Sequence, residues 1–160
     1  GFDIGNSPFS YMNPELVGKE VVLSTTNGTQ AIEKAKQAET IIIGSFLNLT
    51  AVCEFLAVQN KDVILLCAGW KGRYNLEDSL FAGAVADYFD GSDVFTGIAD
   101  SSIAAKHMYQ AAKGNLNEFL LNSSHRRRLQ RLNLEKDIDY CLQIDITDKV
   151  PIFDGIGLKV

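Results

Sequence analysis

The sequence lacks the features that mark secreted, membrane-spanning and nucleic-acid-binding proteins. Its three cysteines, Cys53, Cys67 and Cys141, show neither the spacing of a zinc site nor a disulfide framework. No apolar run approaches the roughly 18 residues of a membrane span. The net charge of −5 offers no general basic surface for nucleic acid. These absences predict a cytoplasmic protein whose partner is a small ligand, with no membrane or nucleic acid involved.

Short apolar runs rich in β-branched residues alternate with helix-compatible segments in the first half of the chain. The runs cover residues 21–23, 41–43 and 63–67, and the helical segments cover residues 29–38 and 49–59. This β-α-β-α-β order predicts an α/β fold, a three-layer α/β/α sandwich with a mainly parallel sheet, in a single domain over residues 1–160. Further helices are predicted over residues 76–89, 98–112, 125–132 and 133–141, and an edge strand over residues 149–153.

In a parallel sheet the loops that follow the strands meet at one edge, where ligands bind. The first of these loops is short and rich in hydroxyl groups, and it leads into a helix; it consists of Thr25, Thr26, Asn27, Gly28 and Thr29. Backbone N–H groups at a helix start suit an anion, so this loop is predicted to bind phosphate. The alternative is an ordinary turn with a threonine helix cap. The glycine patterns of nucleotide-binding loops are absent.

The second and third loops add further candidates. Ser45 and Asn48 follow the second apolar run, and Asn48 suits either a helix cap or a ligand contact. Cys67 and Arg73 stand six positions apart, the spacing of cysteine-dependent phosphatases, which makes them a candidate nucleophile and a candidate anion clamp. The alternative for Cys67 is a small hydrophobic residue at a strand end.

Charged residues close the set of candidates. Glu77 and Asp78 are either ligands for Mg²⁺ or part of a helix capping box. His125 is a candidate substrate-binding residue and general acid. The arginine-rich segment over residues 126–131 is either a solvated helix face or a source of cations for an anionic substrate.

A series of motifs in this order resembles the 2-phosphosulfolactate phosphatase family over essentially the whole chain. The motifs are GFDIGNSP at residues 1–8, TTNGT at 25–29, GSFLN at 44–48, CAG at 67–69, LED at 76–78 and SHRRRL at 124–129. Two positions depart from the family pattern, Gln30 where arginine is common and Arg126 where glycine is common. The resemblance also identifies this chain as the C-terminal part of a longer family chain.

The resemblance implies a Mg²⁺-dependent acid phosphatase that hydrolyses 2-phosphosulfolactate to sulfolactate, a step toward coenzyme M. It favours Glu77 and Asp78 as metal ligands over Cys67 as nucleophile. Lys71 and the arginines of residues 126–128 would supply cations for the carboxylate and sulfonate of the substrate. A non-catalytic module that binds anions or nucleotides stays open as the alternative function. A homo-oligomeric state stays open in either case.

Overall fold

The computed structural model describes residues 2–96 and 98–160, and α-helices provide most of the regular structure in that part of the chain. The helices are α1 (Gly28–Ala35), α2 (Leu49–Ala57), α3 (Leu76–Tyr88), α4 (Asp100–Ala112), α5 (Leu116–Phe119), α6 (Ser124–Gln130) and α7 (Glu135–Cys141). Short 3-10 turns cover Pro8–Tyr11, Pro14–Leu16 and Phe46–Asn48. Each helix predicted from the sequence is present within a few residues of its predicted bounds, and α5 is an additional short helix. None of the described helices has the length and apolar character needed to cross a membrane.

The predicted three-layer α/β/α fold with a mainly parallel sheet is wrong. The described residues contain one sheet, in which β1 (Ile152–Phe153) pairs antiparallel with β2 (Leu158–Lys159). Of the three predicted strands, the segments at residues 21–23 and 63–67 form no strand. Val22 is 81% exposed and Ile64 is 88% exposed, whereas Val63 and Leu65 are half-buried against the helical core.

The middle apolar run makes the only strand-like pairing of the three within the described residues. The N–H of Ile43 donates to the carbonyl of Pro151, and the N–H of Phe153 donates to the carbonyl of Ile41, each over 2.9 Å. The pairing is antiparallel and joins this run to the C-terminal tail. The edge strand predicted for the tail is thus present as β1, but it extends a hairpin and not a parallel sheet.

The core lies between helices. α3 and α4 make the most extensive helix–helix contact, and α2 and α5 pack around them. Leu80 of α3, Leu120 after α5 and Cys53 of α2 are fully buried. Close packing of α3 on α4 centres on Gly83, where an added Cβ atom would stand 2.1 Å from the carbonyl oxygen of Ala105. This packing fixes the position of α3, whose first turn carries the two candidate carboxylates.

Candidate active site

The loop that precedes α1 is closed by its own threonines. The N–H of Thr29 donates to Thr25 Oγ1 over 3.1 Å, and Thr29 Oγ1 donates to the carbonyl of Thr25 over 2.7 Å. This arrangement starts the helix and leaves the backbone N–H groups of Thr26, Asn27 and Gly28 without an acceptor among the described residues. The loop therefore has both features expected at this position, a threonine helix cap and N–H groups available to an anion.

The loop that precedes α3 contains a tight turn. Trp70 and Arg73 exchange two backbone hydrogen bonds of 3.0 Å, and Lys71 and Gly72 between them have φ values of 51° and 71°. Positive φ at both central residues is the geometry of a type I′ turn. Just before the turn, Gly69 has a φ of 69°, and a Cβ atom there would lie 2.7 Å from the carbonyl oxygen of Arg73.

Hydrogen bonds join these two loops to each other and to α3. The backbone N–H of Lys71 donates to Asn27 Oδ1 over 2.9 Å, which places the first loop beside the turn. The N–H of Gly69 donates to Asp78 Oδ2 over 2.7 Å, which ties the turn to the start of α3. Asn75 caps α3 by accepting a hydrogen bond from the N–H of Asp78. The structure thus brings the first loop, the turn and one carboxylate into one cluster.

The second carboxylate links this cluster to α6. Glu77 Oε1 accepts a hydrogen bond from Ser123 Oγ over 3.0 Å and lies 3.5 Å from His125 Nδ1. Ser123 Oγ also accepts from the N–H of Arg126, so one serine caps α6 and holds Glu77. The other oxygen, Glu77 Oε2, is buried and has no hydrogen-bond partner among the described residues. A buried carboxylate oxygen without a partner is costly, and it marks a place for a cation or a donor.

The environments of the adjacent carboxylates push their pKa values in opposite directions. Burial acts to raise the pKa of Glu77, but the contact with His125 and the hydrogen bond from Ser123 outweigh it and leave the pKa below its ordinary value. Burial raises the pKa of Asp78 above its ordinary value; the Gly69 N–H opposes this, and the nearby Glu77 charge adds to it. Adjacent acids with opposite shifts are typical of sites where two carboxyl groups have different roles.

Cys67 lies at the edge of the same cluster. Partial burial of its thiol raises the pKa, the Asp78 carboxylate raises it further, and a hydrogen bond with Ser79 lowers it in part. Because the thiolate is the nucleophilic form, this environment works against the role of nucleophile. Arg73, the other half of the motif, is exposed, and its backbone closes the turn.

The second loop contributes to the fold instead. Asn48 Oδ1 accepts from the backbone N–H and the hydroxyl of Ser45, and Asn48 Nδ2 donates to the carbonyls of Ile43 and Lys149. These four bonds use the full capacity of the amide group. Asn48 is also buried, so it ties the loop to the C-terminal segment and has no group left for a ligand. Ser45 shares this arrangement.

The metal-binding potential of the cluster rests on two carboxylates. The described residues contain no group of three or more histidine, cysteine, aspartate or glutamate side chains able to hold a metal ion. Mg²⁺ is commonly bound by one or two carboxylates together with substrate phosphate and water. The unpartnered Glu77 Oε2 beside Asp78 fits this kind of site.

Two open grooves elsewhere on the surface lack this chemistry. One lies between residues 11 and 21 and is lined by apolar side chains and Asn13, without an acid, a base or a cation. The other lies between residues 36–41 and 153–155, and its charged side chains are Lys36, Glu39 and Asp154. Neither contains a residue of the three loops, so the cluster around α3 is the candidate active site.

Sequence reasoning missed Ser123 as a partner of Glu77 and Trp70 as a contact of α6. Ser123 lies 46 residues from Glu77, so no local sequence pattern indicates that the two side chains meet. Trp70 lies in the third loop, and its ring faces the guanidinium of Arg128 at 4.8 Å. Contacts of this kind depend on the tertiary fold, which the sequence pattern does not contain.

The sequence of this chain is similar to a known protein family and to several curated proteins. The family model described as 2-phosphosulpholactate phosphatase matches residues 1–155. A probable 2-phosphosulfolactate phosphatase of Thermotoga petrophila is 43% identical over 151 residues, which cover 94% of this chain and 64% of the relative. Proteins of the same name from Caldanaerobacter subterraneus and Cyanothece are 37% and 35% identical; the matches cover 94% and 100% of this chain and 62% and 68% of those relatives.

The chain thus spans 64% of the length of the Thermotoga petrophila relative, while the family model matches nearly all of this chain. The match contains the loop before α1, the loop before α3, both carboxylates of α3 and the start of α6. On this basis the chain belongs to the 2-phosphosulfolactate phosphatase family.

Proposed function

We propose that this protein hydrolyses 2-phosphosulfolactate to sulfolactate and phosphate. The relatives carry the name of this activity, and the two carboxylates of the cluster around α3 and the N–H groups of the loop before α1 support the proposal. The observation that carries the proposal is Glu77 Oε2, a buried and unpartnered carboxylate oxygen next to Asp78. As the family resemblance implies, the product would serve coenzyme M biosynthesis.

The loop before α1 holds the phosphoryl group in this proposal. The N–H groups of Thr26, Asn27 and Gly28 donate to phosphate oxygens at the start of α1. Negative charge on these oxygens is what a phosphatase must stabilise as the phosphorus–oxygen bond breaks, and fixed backbone dipoles do so without reorganisation. The bond between Asn27 and Lys71 holds this loop against the turn whose last residue is Arg73, and in the proposal the exposed Arg73 supplies a further cation.

Glu77 and Asp78 are the residues that would hold Mg²⁺. When bound, the ion supplies positive charge that polarises the phosphoryl group. Glu77 has the geometry for this because Oε1 is engaged by Ser123 and His125, whereas Oε2 has no other partner among the described residues. Asp78 is fixed by the N–H of Gly69.

His125 supplies the proton for the leaving group. Its Nδ1 lies against Glu77 Oε1, which fixes the ring and leaves Nε2 to act. A water oxygen forms the new bond to phosphorus, the bond to the substrate oxygen breaks, and Nε2 protonates that oxygen to give the hydroxyl of sulfolactate. The product phosphate keeps one O–H of the attacking water, and the second proton of that water returns through solvent to His125 Nε2, so that the histidine is ready for the next cycle.

The proposal is tested by phosphate release from 2-phosphosulfolactate in the full-length protein, with Mg²⁺ and after chelation by EDTA. Glu77→Gln and Asp78→Asn keep the shape of each side chain and remove its charge, and each should lower kcat/KM by about 10²-fold or more. Glu54→Gln is the matched control, because it removes the charge of an exposed glutamate on α2. It should leave kcat/KM unchanged.

Phosphate release that survives both EDTA and the two variants would contradict the metal role of Glu77 and Asp78. Absence of phosphate release from any phosphomonoester, together with tight binding of nucleotide without turnover, would instead support the non-catalytic module. Assays of phosphate release and of nucleotide binding on the same preparations distinguish these two outcomes.

A further inference from the structure

The arginines of α6 have different partners, although they are adjacent in sequence. Arg126 Nη1 donates to the carbonyl and to Oδ1 of Asn117, over 3.1 and 2.7 Å. Arg127 Nη1 donates to the carbonyl of Asn122. Nη1 of both guanidinium groups therefore contributes to the connection between α5 and α6, while the buried Arg126 Nε has no hydrogen-bond partner among the described residues.

Arg128 is directed instead to the turn before α3. Its guanidinium carbon lies 4.8 Å from the centroid of the Trp70 ring, and Lys71 Nζ lies 5.0 Å from the same centroid. Both distances are within the range of cation–π attraction. Neither cation is paired with a carboxylate among the described residues. Trp70 thus gathers two positive charges at one place on the surface.

This pair of cations is fixed next to the proposed phosphate loop. The backbone N–H of Lys71 donates to Asn27 Oδ1, and the type I′ turn between Trp70 and Arg73 sets the direction of the loop. A guanidinium that stacks its face on an indole keeps the N–H groups at its edge available for an oxyanion. The pair therefore has charge, donors and a fixed location beside the reaction centre.

We propose that Lys71 and Arg128, held together by Trp70, bind the sulfonate that the substrate carries besides its phosphate. The inference rests on the proposed function, because it assigns the part of the site that recognises the non-reacting end of the substrate. Two cations at one ring would favour a phosphomonoester that carries an acidic group besides its phosphate over one that carries none. Lys71 and Arg128 are binding residues in this scheme, and Trp70 is a positioning residue that acts through them.

Trp70 makes the inference directly measurable because it is the only tryptophan of the chain. Its fluorescence is titrated with sulfolactate, which has the sulfonate but no phosphate, and separately with inorganic phosphate. Arg128→Gln should weaken sulfolactate binding about 10-fold or more, the loss expected for a hydrogen bond between charged groups. It should leave phosphate binding within about twofold of the wild type, since the proposed phosphate donors belong to another loop.

Arg131→Gln is the matched control, an exposed arginine next to the end of the same helix. It changes the net charge by the same amount without touching Trp70, and sulfolactate binding should be unchanged. Equal effects of Arg128→Gln and Arg131→Gln would overturn the inference, since they would show a general charge effect. Equal weakening of sulfolactate and phosphate in Arg128→Gln would also overturn it.

The role of Trp70 is tested by substrate preference. Trp70→Leu should lower kcat/KM for 2-phosphosulfolactate about 10-fold relative to methyl phosphate, mainly through KM, and Trp70→Phe should restore part of this preference because a ring is retained. A preference unchanged in Trp70→Leu would overturn the positioning role. Sulfolactate binding that depends on Arg128 in a protein without phosphatase activity would count against the proposed function and not against the sulfonate site.

Discussion

Glu77 combines three properties that few surface carboxylates share. One oxygen is held by Ser123 and His125, the other is buried without a partner among the described residues, and the pKa is lowered although burial acts to raise it. The side chain is therefore fixed, charged and unsatisfied. A buried carboxylate oxygen without a partner destabilises the folded state, and the proposed role of Glu77 rests on this feature.

Cys67 shows how environment decides between two chemical roles. The spacing to Arg73 matches a cysteine-dependent phosphatase, but burial and the Asp78 carboxylate raise the pKa of the thiol and disfavour the thiolate that a nucleophile needs. Cys67→Ser should therefore keep kcat/KM for phosphate release within about twofold of the wild type. Steady-state kinetics of the purified variant provide the measurement.

The opposite outcome is equally clear in the same assay. A covalent nucleophile replaced by serine would reduce activity by about 10⁴-fold or more. Trapping of a phosphocysteine by rapid denaturation of the wild type would support that result. Either observation would remove Glu77 and Asp78 from the centre of the mechanism and put Cys67 there.

Local signals made part of the site predictable at the level of residues. The threonine–asparagine–glycine loop at residues 25–29 and the acidic pair at 77–78 each follow from short sequence patterns, and the structure brings both into one cluster. Their roles in binding and catalysis stay predictions. The contact of Ser123 with Glu77 and that of Arg128 with Trp70 span 46 and 58 residues, and no sequence pattern encodes such pairs.

The helices depend on one close approach. α3 and α4 meet at Gly83, where a Cβ atom would stand 2.1 Å from the Ala105 carbonyl oxygen and 2.9 Å from the Tyr109 Cβ. Since backbone atoms block the space, the helices must move apart to admit even one methyl group. The position of the first turn of α3, and with it the carboxylate pair, depends on this contact.

Gly83→Ala should therefore destabilise the protein by about 3 kcal/mol, at the upper end of the cost of overpacking. Higher helix propensity of alanine returns only about 1 kcal/mol, so the steric term decides the sign. Gly114→Ala is the control, because the space around Gly114 is open and its φ is not in the left-handed region. Urea denaturation should show a large loss for the first variant and almost none for the second; equal stability of Gly83→Ala and the wild type would contradict the packing.

The sequence predicted the helices well, because a helix forms hydrogen bonds within its own segment. It predicted the parallel strands wrongly, because a strand needs a partner from elsewhere in the chain. α2 and α3 follow from caps and apolar spacing within their own segments, and they were found close to the predicted positions. The run at residues 63–67 has the composition of a buried strand, but a strand also needs a neighbour for its backbone. In the structure this run forms no strand, and the parallel sheet built on it is wrong.

On the scale of the whole molecule, several strongly apolar residues are exposed and do not take part in the core. The core is made by α2, α3, α4 and α5 around Leu80, whereas Val22 and Ile64 are among the exposed apolar residues. Half-buried residues outside the helices, among them Ile42, Val63 and Val150, pack against this core and add to its apolar contacts. Hydrophobic stabilisation scales with the apolar area removed from water, so exposed β-branched residues contribute little to it.

This difference gives a direct test of the helical fold against a buried sheet. Ile64→Thr and Val22→Thr change apolar side chains that are 88% and 81% exposed, and each should alter the free energy of unfolding by less than about 0.5 kcal/mol. Leu80→Ala removes a fully buried side chain and should cost about 2–5 kcal/mol. Urea denaturation of the three variants, monitored by far-ultraviolet circular dichroism, measures these energies on one scale. A cost for Ile64→Thr comparable to that of Leu80→Ala would contradict the exposed position of Ile64, because only a residue packed in a core loses that much when an ethyl group is replaced by a hydroxyl.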